Sequence, residues 1–371
     1  MTNKSLTFSP VYQDILNAID AVDPVAYGSD RNFLDGSVSR LSPYISRGVI
    51  STKMVMERIQ ERDLPREKIE KFIQELAWRD YWQQLWIAHG EAINEDLKKP
   101  QQPVNHYGIP EAIAAHRTSI KAIDDCIEAF YETGYLHNHV RMYIAGISCN
   151  LGFAHWHHPA QWMYYHLLDG DWASNALSWQ WVAGSNSHKK YVANQSNINK
   201  YCYSDQKGTF LDVPYSAFDQ WEIPQELEKS VKLNLRSPLP TTEAINIDPN
   251  QNTLIYNYYN MDPKWHEGAP ANRILLLEPA IFEKYPIGQN AINFLLSLRT
   301  NIPELQVFVG SFADLKAQAG TSAIIYKEHP LNTHYTGTEE ARDWMFPVEG
   351  AYHSFFAFWK KCKKTAVYHE A

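Results

Sequence analysis

Four stretches of this sequence place reactive side chains at spacings that chemistry can use. In 27–43, YGSDRNFLDGSVSRLSP, Ser37, Ser39 and Ser42 precede an apolar-periodic run, with Arg31 and Arg40 beside them. Free backbone N–H groups at a helix start, joined by hydroxyls and guanidinium groups, would cradle a diphosphate. The plainer reading is an ordinary capped helix. Glu75, Trp78, Arg79 and Trp82 stand at i, i+3, i+4 and i+7, so one helix face would carry an acid, two indoles and a guanidinium. An exposed Glu75–Arg79 pair would add only about 0.3–0.5 kcal/mol, and the indoles argue against exposure. In GYLHNHVRMYIAG (134–146), Asn138, Arg141 and Met142 share a face, with methionine as apolar filler as the alternative. In LLDGDWASNALSWQWVAGS (167–185), Asp171 can start a helix, and Asn175 and Trp179 follow on the same side. Asp169 and Trp181 lie close by. Capping by Asp171 with a Trp-rich core is the alternative there. The run His155-Trp156-His157-His158 has neither the spacing nor the acidic partner of a metal site, so no metal is expected.

Helices must carry these groups. Periodicity predicts them over 11–22, 42–59, 67–89, 110–132, 136–153, 159–168 and 172–182, with Ser42 as a cap and Pro43 in the first turn. The 67–89 helix is apolar on more than one side, so it is expected to be deeply buried. Strand signals are nearly absent before residue 230. Pro and Asn cluster over 236–271, which reads as a linker. Beyond it, RILLLE (273–278), LQVFVG (305–310) and SAIIYKE (322–328) alternate with helices near 288–299 and 312–318. That is a small parallel β-α-β-α-β unit without a glycine-rich phosphate loop. A helix with a basic end is expected within 350–364. The division is therefore a helical domain over 1–235, a linker over 236–271 and a small α/β domain over 272–371.

With 371 residues, 44% hydrophobic, and 12 Trp, the chain can bury a sizeable core, and disorder is excluded as its main state. Its 34 basic and 42 acidic residues, a net charge of -8, exclude a uniformly basic surface. A local basic groove remains open, expected from Arg31, Arg40, Arg47, Lys53, Lys189 and Lys190. Cys126, Cys149, Cys202 and Cys362 lie far apart with no CxxC, against a zinc ribbon or an all-cysteine cluster. No apolar run reaches membrane-spanning length, and the N-terminus lacks a signal-peptide core. A cytoplasmic protein with free thiols is expected.

The stretches SVSRLSPYISRGVIS, FIQELAWRDYW, ETGYLHNHVRMYIA and LLDGDWASNALSWQWVAGS, in that order within 25–205, resemble the flavin-binding domain of the DNA photolyase/cryptochrome family. The resemblance implies a mainly α fold: an all-helical FAD-binding domain, followed here by the small C-terminal α/β unit. It implies that Tyr27, Val38, Ser39, Arg40, Leu41 and Ser42 meet the flavin diphosphate, Val38 standing where many relatives have Thr. Arg79, Asn138, Arg141, Asp169, Gly170 and Asp171 would line the rest of the flavin. Asn175 would face its reactive ring nitrogen, as in repair-type members; plant-type photoreceptors carry Asp there. Trp78 and Trp181 would hold an extruded pyrimidine dimer, Met142 would pack on it, and Glu75 and Asn138 would hydrogen-bond to it. Arg31, Lys189 and Lys190 would contact phosphates of UV-damaged DNA, single strands included. Trp179 and Trp156 would relay electrons. The family's outer Trp has no counterpart, and Tyr107 and Trp162 stand as alternatives. The implied enzyme is a deoxyribodipyrimidine photo-lyase that splits cyclobutane dimers by electron transfer from light-excited reduced FAD. The alternative is a blue-light receptor that binds FAD without repair. Two departures stand out: no antenna domain is expected ahead of Tyr27, and 186–210 lacks the family's Phe-Asn-Pro run. The segment VFVGSFADLKAQAGTSAIIYKEHP faintly resembles the closing part of such an antenna domain.

Overall fold

Apolar spacing becomes helix along most of the first 235 residues in the computed structural model, which describes residues 6–365. In chain order the helices are α1 Tyr12–Asp20, α2 Pro24–Asp30, α3 Ser42–Ser46, α4 Thr52–Gln60, α5 Arg66–His89, α6 Glu111–Ala114, α7 Lys121–Thr133, α8 Asn138–Gly146, α9 His157–His166, α10 Trp172–Ala183 and α11 Gln195–Cys202. After them come α12 Pro279–Lys284, α13 Gln289–Leu298, α14 Phe312–Ala319 and α15 Phe355–Thr365. The strands are β1 Ile109–Pro110, β2 Ser230–Val231, β3 Asn252–Tyr256, β4 Ala271–Leu277, β5 Gln306–Val309, β6 Ile324–Lys327 and β7 Thr338–Glu340. The described chain falls into two units. One comprises residues 6–7, Val25–Val38 and Glu91–Leu235; the other comprises Phe8–Pro24, Ser39–Gly90 and residues 236–365.

This grouping cuts across the linear division expected from composition. The 236–271 stretch holds β3, whose Leu254, Ile255 and Tyr256 are buried between two parallel neighbours, β4 and β6. Backbone groups in such a strand are satisfied on both sides, which no linker can offer. The five-stranded sheet runs β5-β4-β3-β6-β7, parallel throughout, with Leu254 opposite Arg273 on one side and Ile325 on the other. All seven residues of β4 are buried, the continuous apolar run expected of a strand covered on both faces. Ile255, Ile274, Leu276, Phe308, Leu315 and Ile324 pack together as its core.

In the same unit, α5 buries Ile69, Phe72, Ile73, Ala77, Tyr81, Leu85 and Trp86, but also Asp80, Gln83 and Gln84. The two-sided burial expected of 67–89 is present. The helix expected over 42–59 is not continuous. It breaks at Gly48, whose φ is +64° and where a Cβ would stand 2.4 Å from the Tyr259 carbonyl oxygen. Only glycine fits that conformation and that approach. A new helix starts after Ser51, whose Oγ accepts the Met54 N–H at 2.9 Å.

In the first unit, the 110–132 prediction likewise splits. His116 and Ser119 adopt positive φ between α6 and α7, and the Asp124 carboxylate accepts both the N–H and the hydroxyl of Thr118 at 2.8 Å. Past α8 the chain continues as a wide turn over Ile147–Leu151, in which the Gly152 N–H reaches the Ile147 carbonyl. Helix α10 is buried on nearly every side. Its Asn175 amide donates to the Ala160 carbonyl of α9 at 2.8 Å, and its Gln180 amide donates to the Ile93 carbonyl at 2.8 Å.

Candidate functional site

The polar residues expected around a flavin are held firmly in the first unit. Arg141, half-buried on α8, donates from Nη2 to both oxygens of Asp169 at 3.0 and 2.9 Å, and from Nε to the Leu136 carbonyl at 2.8 Å. The Asp169 side chain is only 4% exposed. A buried carboxylate needs such a partner. Asp171 caps α10 by accepting the Ser174 N–H at 2.7 Å, the capping reading of this residue. Gly170, between the two acids, is buried. Asn175 is 8% exposed, and its hydrogen bond to Ala160 fixes the orientation of the amide. Trp179 is buried one turn further on. Ser174 Oγ is buried without a hydrogen-bond partner, a polar atom that a ligand in the first turn of α10 would satisfy. An ion pair, a neutral amide and this hydroxyl are a donor set that suits a flavin ring system.

Asn138 opens α8 exposed to solvent, with Met142 half-buried one turn later. Trp181 is 40% exposed, apolar area that its place on a buried helix does not explain. Tyr27 and Arg31 are half-buried; the guanidinium lies 6.0 Å from the Tyr27 ring and donates to the Gly28 carbonyl at 2.9 Å. Val38 is half-buried with its N–H on the Gly36 carbonyl. Lys189 and Lys190 are exposed in the loop after α10. Lys190 joins Lys99 and His188 in lining a cleft of about 240 Å³, closed by Pro100, Gln102 and Gly184. Desolvation, and then Lys99, holds the Lys190 ammonium below its usual range. Lys99 follows Lys98 in the chain, outside the basic residues expected to gather, and only the fold brings it beside Lys190.

The second unit departs further from expectation. Leu41, not Ser42, is the N-cap residue of α3, and that helix has only five residues. The long helix whose start was to cradle a diphosphate is therefore absent. Ser39 Oγ accepts the Leu41 N–H at 3.4 Å, and Arg40 is exposed at φ +54°. Arg47, expected in a basic groove, is fully buried with its guanidinium 3.3 Å over the Tyr258 ring. The local twist that ends α3 turns this side chain inward, against aromatic rings that attract a cation. Glu75 pairs with Lys71 at 2.7 Å, and Arg79 donates to Ser46 Oγ at 2.8 Å. Trp78 was expected to offer its face to a damaged base. That face is stacked on Phe355 of α15, ring centroids 3.8 Å apart and planes 9° from parallel. No local pattern links the two residues, so sequence reasoning had no signal for the contact.

Asp80, next to this face, is fully buried and accepts from Thr52 Oγ1 at 2.8 Å and the Met345 N–H at 2.9 Å. Burial outweighs these bonds and raises its pKa to about 6. A carboxyl group raised on folding favours the native state while protonated, and that stability is lost as pH rises through the folded value. Chemical denaturation of the wild type against Asp80→Asn should therefore show the wild type gaining roughly 2–3 kcal/mol on the variant between about pH 7 and pH 4. A flat difference would assign Asp80 an ordinary pKa.

The histidines of the 155–158 run go separate ways. His155 Nε2 lies 3.7 Å from Asp96, burial pushes His157 down to about 4, and His158 Nε2 accepts the Leu233 N–H at 2.9 Å. Among the described residues no cluster of metal-ligating side chains occurs, and no helix is long and apolar enough to cross a membrane.

Residues 72–214 match the family model described as the FAD binding domain of DNA photolyase. The sequence is 31% identical over 163 residues to the deoxyribodipyrimidine photo-lyase of Thermus thermophilus, covering 43% of this chain and 38% of that protein. It is 28% identical over 156 residues to the Halobacterium salinarum enzyme of that name (40% and 32% covered). Against that of Alkalihalophilus pseudofirmus it is 23% identical over 234 residues (58% and 49% covered). The matches span between about a third and a half of the length of these relatives. Among solved structures, the Synechocystis sp. PCC6803 cryptochrome aligns with a TM-score of 0.48 at 20% identity, covering 53% of this chain and 44% of that one.

Proposed function

This chain belongs to the DNA photolyase/cryptochrome family, and from that membership we propose that it is a light-driven DNA repair enzyme, a deoxyribodipyrimidine photo-lyase acting on cyclobutane pyrimidine dimers. The observation that carries the reading is Asn175: a buried, oriented and uncharged side chain at the position assigned to the flavin's reactive nitrogen. A carboxylate there would repel an anionic reduced ring or share a proton with it, whereas an amide tolerates the charge. FAD would be held on its ring side by Arg79, Asn138, Arg141, Asp169, Gly170, Asp171 and Asn175. Tyr27, Val38, Ser39, Arg40, Leu41 and Ser42 are the diphosphate-side candidates, contributing through backbone and hydroxyl groups rather than through a long helix start. When bound and reduced, FAD supplies the light-excited electron that splits the dimer and returns. Glu75 would hydrogen-bond the dimer, Asn138 would orient it, and Met142 and Trp181 would pack on its bases. Extrusion of a damaged pair costs less than that of an intact one, which gives lesion selectivity. Arg31, Lys189 and Lys190 would neutralise DNA phosphates, so affinity should fall steeply with salt.

The test is illumination of the reduced protein with a dimer-containing single-stranded oligonucleotide. Dimers should disappear in the light, and Glu75→Ala should slow their loss at least about tenfold, the worth of one hydrogen bond to a charged group. A flavin-loaded protein that leaves dimers intact would favour a second reading, a blue-light receptor without repair. One observation speaks for that reading: Phe355 occupies the Trp78 face that repair assigns to a base.

A further inference from the structure

We infer that an oxidising equivalent on Trp156 leaves the protein through the stacked rings of His155 and Tyr107, with the Asp96 carboxylate taking the indole proton. The inference rests on the flavin reading above for its natural oxidant, but not for its geometry. Trp156 is fully buried, and its Nε1–H donates to Asp96 Oδ1 at 2.8 Å. The other Asp96 oxygen accepts the Gln101 N–H at 2.8 Å, and the Gln101 side-chain oxygen accepts the Trp156 N–H at 2.9 Å, so acid and indole are locked together. Burial alone would raise the pKa of Asp96, but hydrogen bonds from His155, Gln101 and Trp156 bring it below its usual value. It is an ionised acceptor in contact with the proton an oxidised indole loses.

The way out is equally well built. The His155 ring lies 5.7 Å from Trp156, and the Tyr107 ring is stacked on His155 at 5.1 Å and 28°. Tyr107 is 63% exposed. Its segment is pinned against 153–155, because Asn105 N–H bonds the Phe153 carbonyl and His155 N–H bonds the His106 carbonyl, both at 2.8 Å. Trp162, the other candidate for the outer position, is itself fully buried and donates to Tyr131 at 3.0 Å.

The steps balance as follows. Trp156 gives one electron to a one-electron oxidant, a role that light-excited oxidised FAD would fill when bound. Its N–H bond breaks, an O–H bond forms on Asp96, and a neutral indolyl radical remains. Tyr107 then gives one electron to that radical, which recovers its proton from Asp96, while the phenol proton passes to water. A thiol-class reductant in solution returns the electron to Tyr107 and water returns its proton.

The test needs no flavin. A laser flash that photoionises tryptophan in the full, flavin-free chain, with the ejected electrons scavenged, is followed by transient absorption. In the wild type a tyrosyl signal should grow as the indolyl signal decays. Tyr107→Phe should slow that phase at least about tenfold, Tyr107→Trp should carry the hole outward as a second indolyl radical, and Trp156→Phe should remove the phase. Asp96→Asn should delay loss of the indole proton, read as a longer-lived radical cation. Growth unchanged in Tyr107→Phe overturns the exit, and unchanged deprotonation in Asp96→Asn overturns the role of Asp96. A chain that passes this test but never loads flavin would defeat the proposed function and leave this pathway standing.

Discussion

Replacing Phe355 by alanine is expected to expose the indole face of Trp78 and to destabilise its unit by about 3–5 kcal/mol, the range for truncating a buried phenylalanine. Phe355 is 2% exposed, and besides the Trp78 stack it meets Tyr81 edge-on at 5.8 Å and Trp359 at 6.3 Å. The chain leading into α15 is tied along α5 at several other points: Arg342 to Gln83 at 2.7 Å, Met345 N–H to Asp80 at 2.9 Å, Gly350 N–H to Gln84 at 3.0 Å and Tyr81 to the Tyr352 carbonyl at 3.1 Å. Phe358, Trp359 and Cys362 are buried as well. The helix should therefore stay attached when one ring is removed. Stacking of a base on an aromatic face is worth roughly 1–3 kcal/mol, no more than the Phe355 ring loses on leaving. In the wild type the ring holds its place against a base. In Phe355→Ala that competition ends, and single-stranded oligonucleotides should bind about tenfold tighter, a gain of roughly 1.4 kcal/mol. Fluorescence anisotropy and urea unfolding measure the two effects. Lost stability with unchanged affinity would make Trp78 a purely structural residue and strengthen the receptor reading.

Arg141→Leu is the second large effect. It would strand the Asp169 carboxylate in a site where its side chain is 4% exposed, at a cost of about 3–5 kcal/mol. Arg141→Lys keeps the charge but loses the fork that serves Asp169 and the Leu136 carbonyl together, so it should fall between the wild type and the leucine variant. The informative protein is the double variant, Arg141→Leu with Asp169→Leu. Removing both charges leaves nothing ionic to desolvate, so most of the stability should return. Flavin retention, read from visible absorbance after gel filtration, should not return if the pair serves the cofactor. A double variant that is stable and yellow would mean the pair only holds α8 in place.

The residues most legible in the sequence were those whose partners lie one or two turns away. Asn175 and Trp179 share the buried side of α10 because four-residue spacing puts them there. The 67–89 helix is buried on two sides because its apolar residues are spread around it. The alternation of apolar runs after residue 272 likewise announced the parallel strands β4, β5 and β6. These are local consequences of backbone period and need no knowledge of neighbours. Other features were decided by the tertiary structure alone. Asn252–Tyr256 became the middle strand of the sheet because β4 and β6 stand on either side to pair with it, although its flanks read as a linker. The chain breaks at Gly48 because the Tyr259 backbone comes too close for any Cβ. Asp96 found Trp156, and Phe355 found Trp78, across long stretches of chain. Which distant side chains meet depends on how buried surfaces fill space together, a property of the packed whole that no periodic pattern carries.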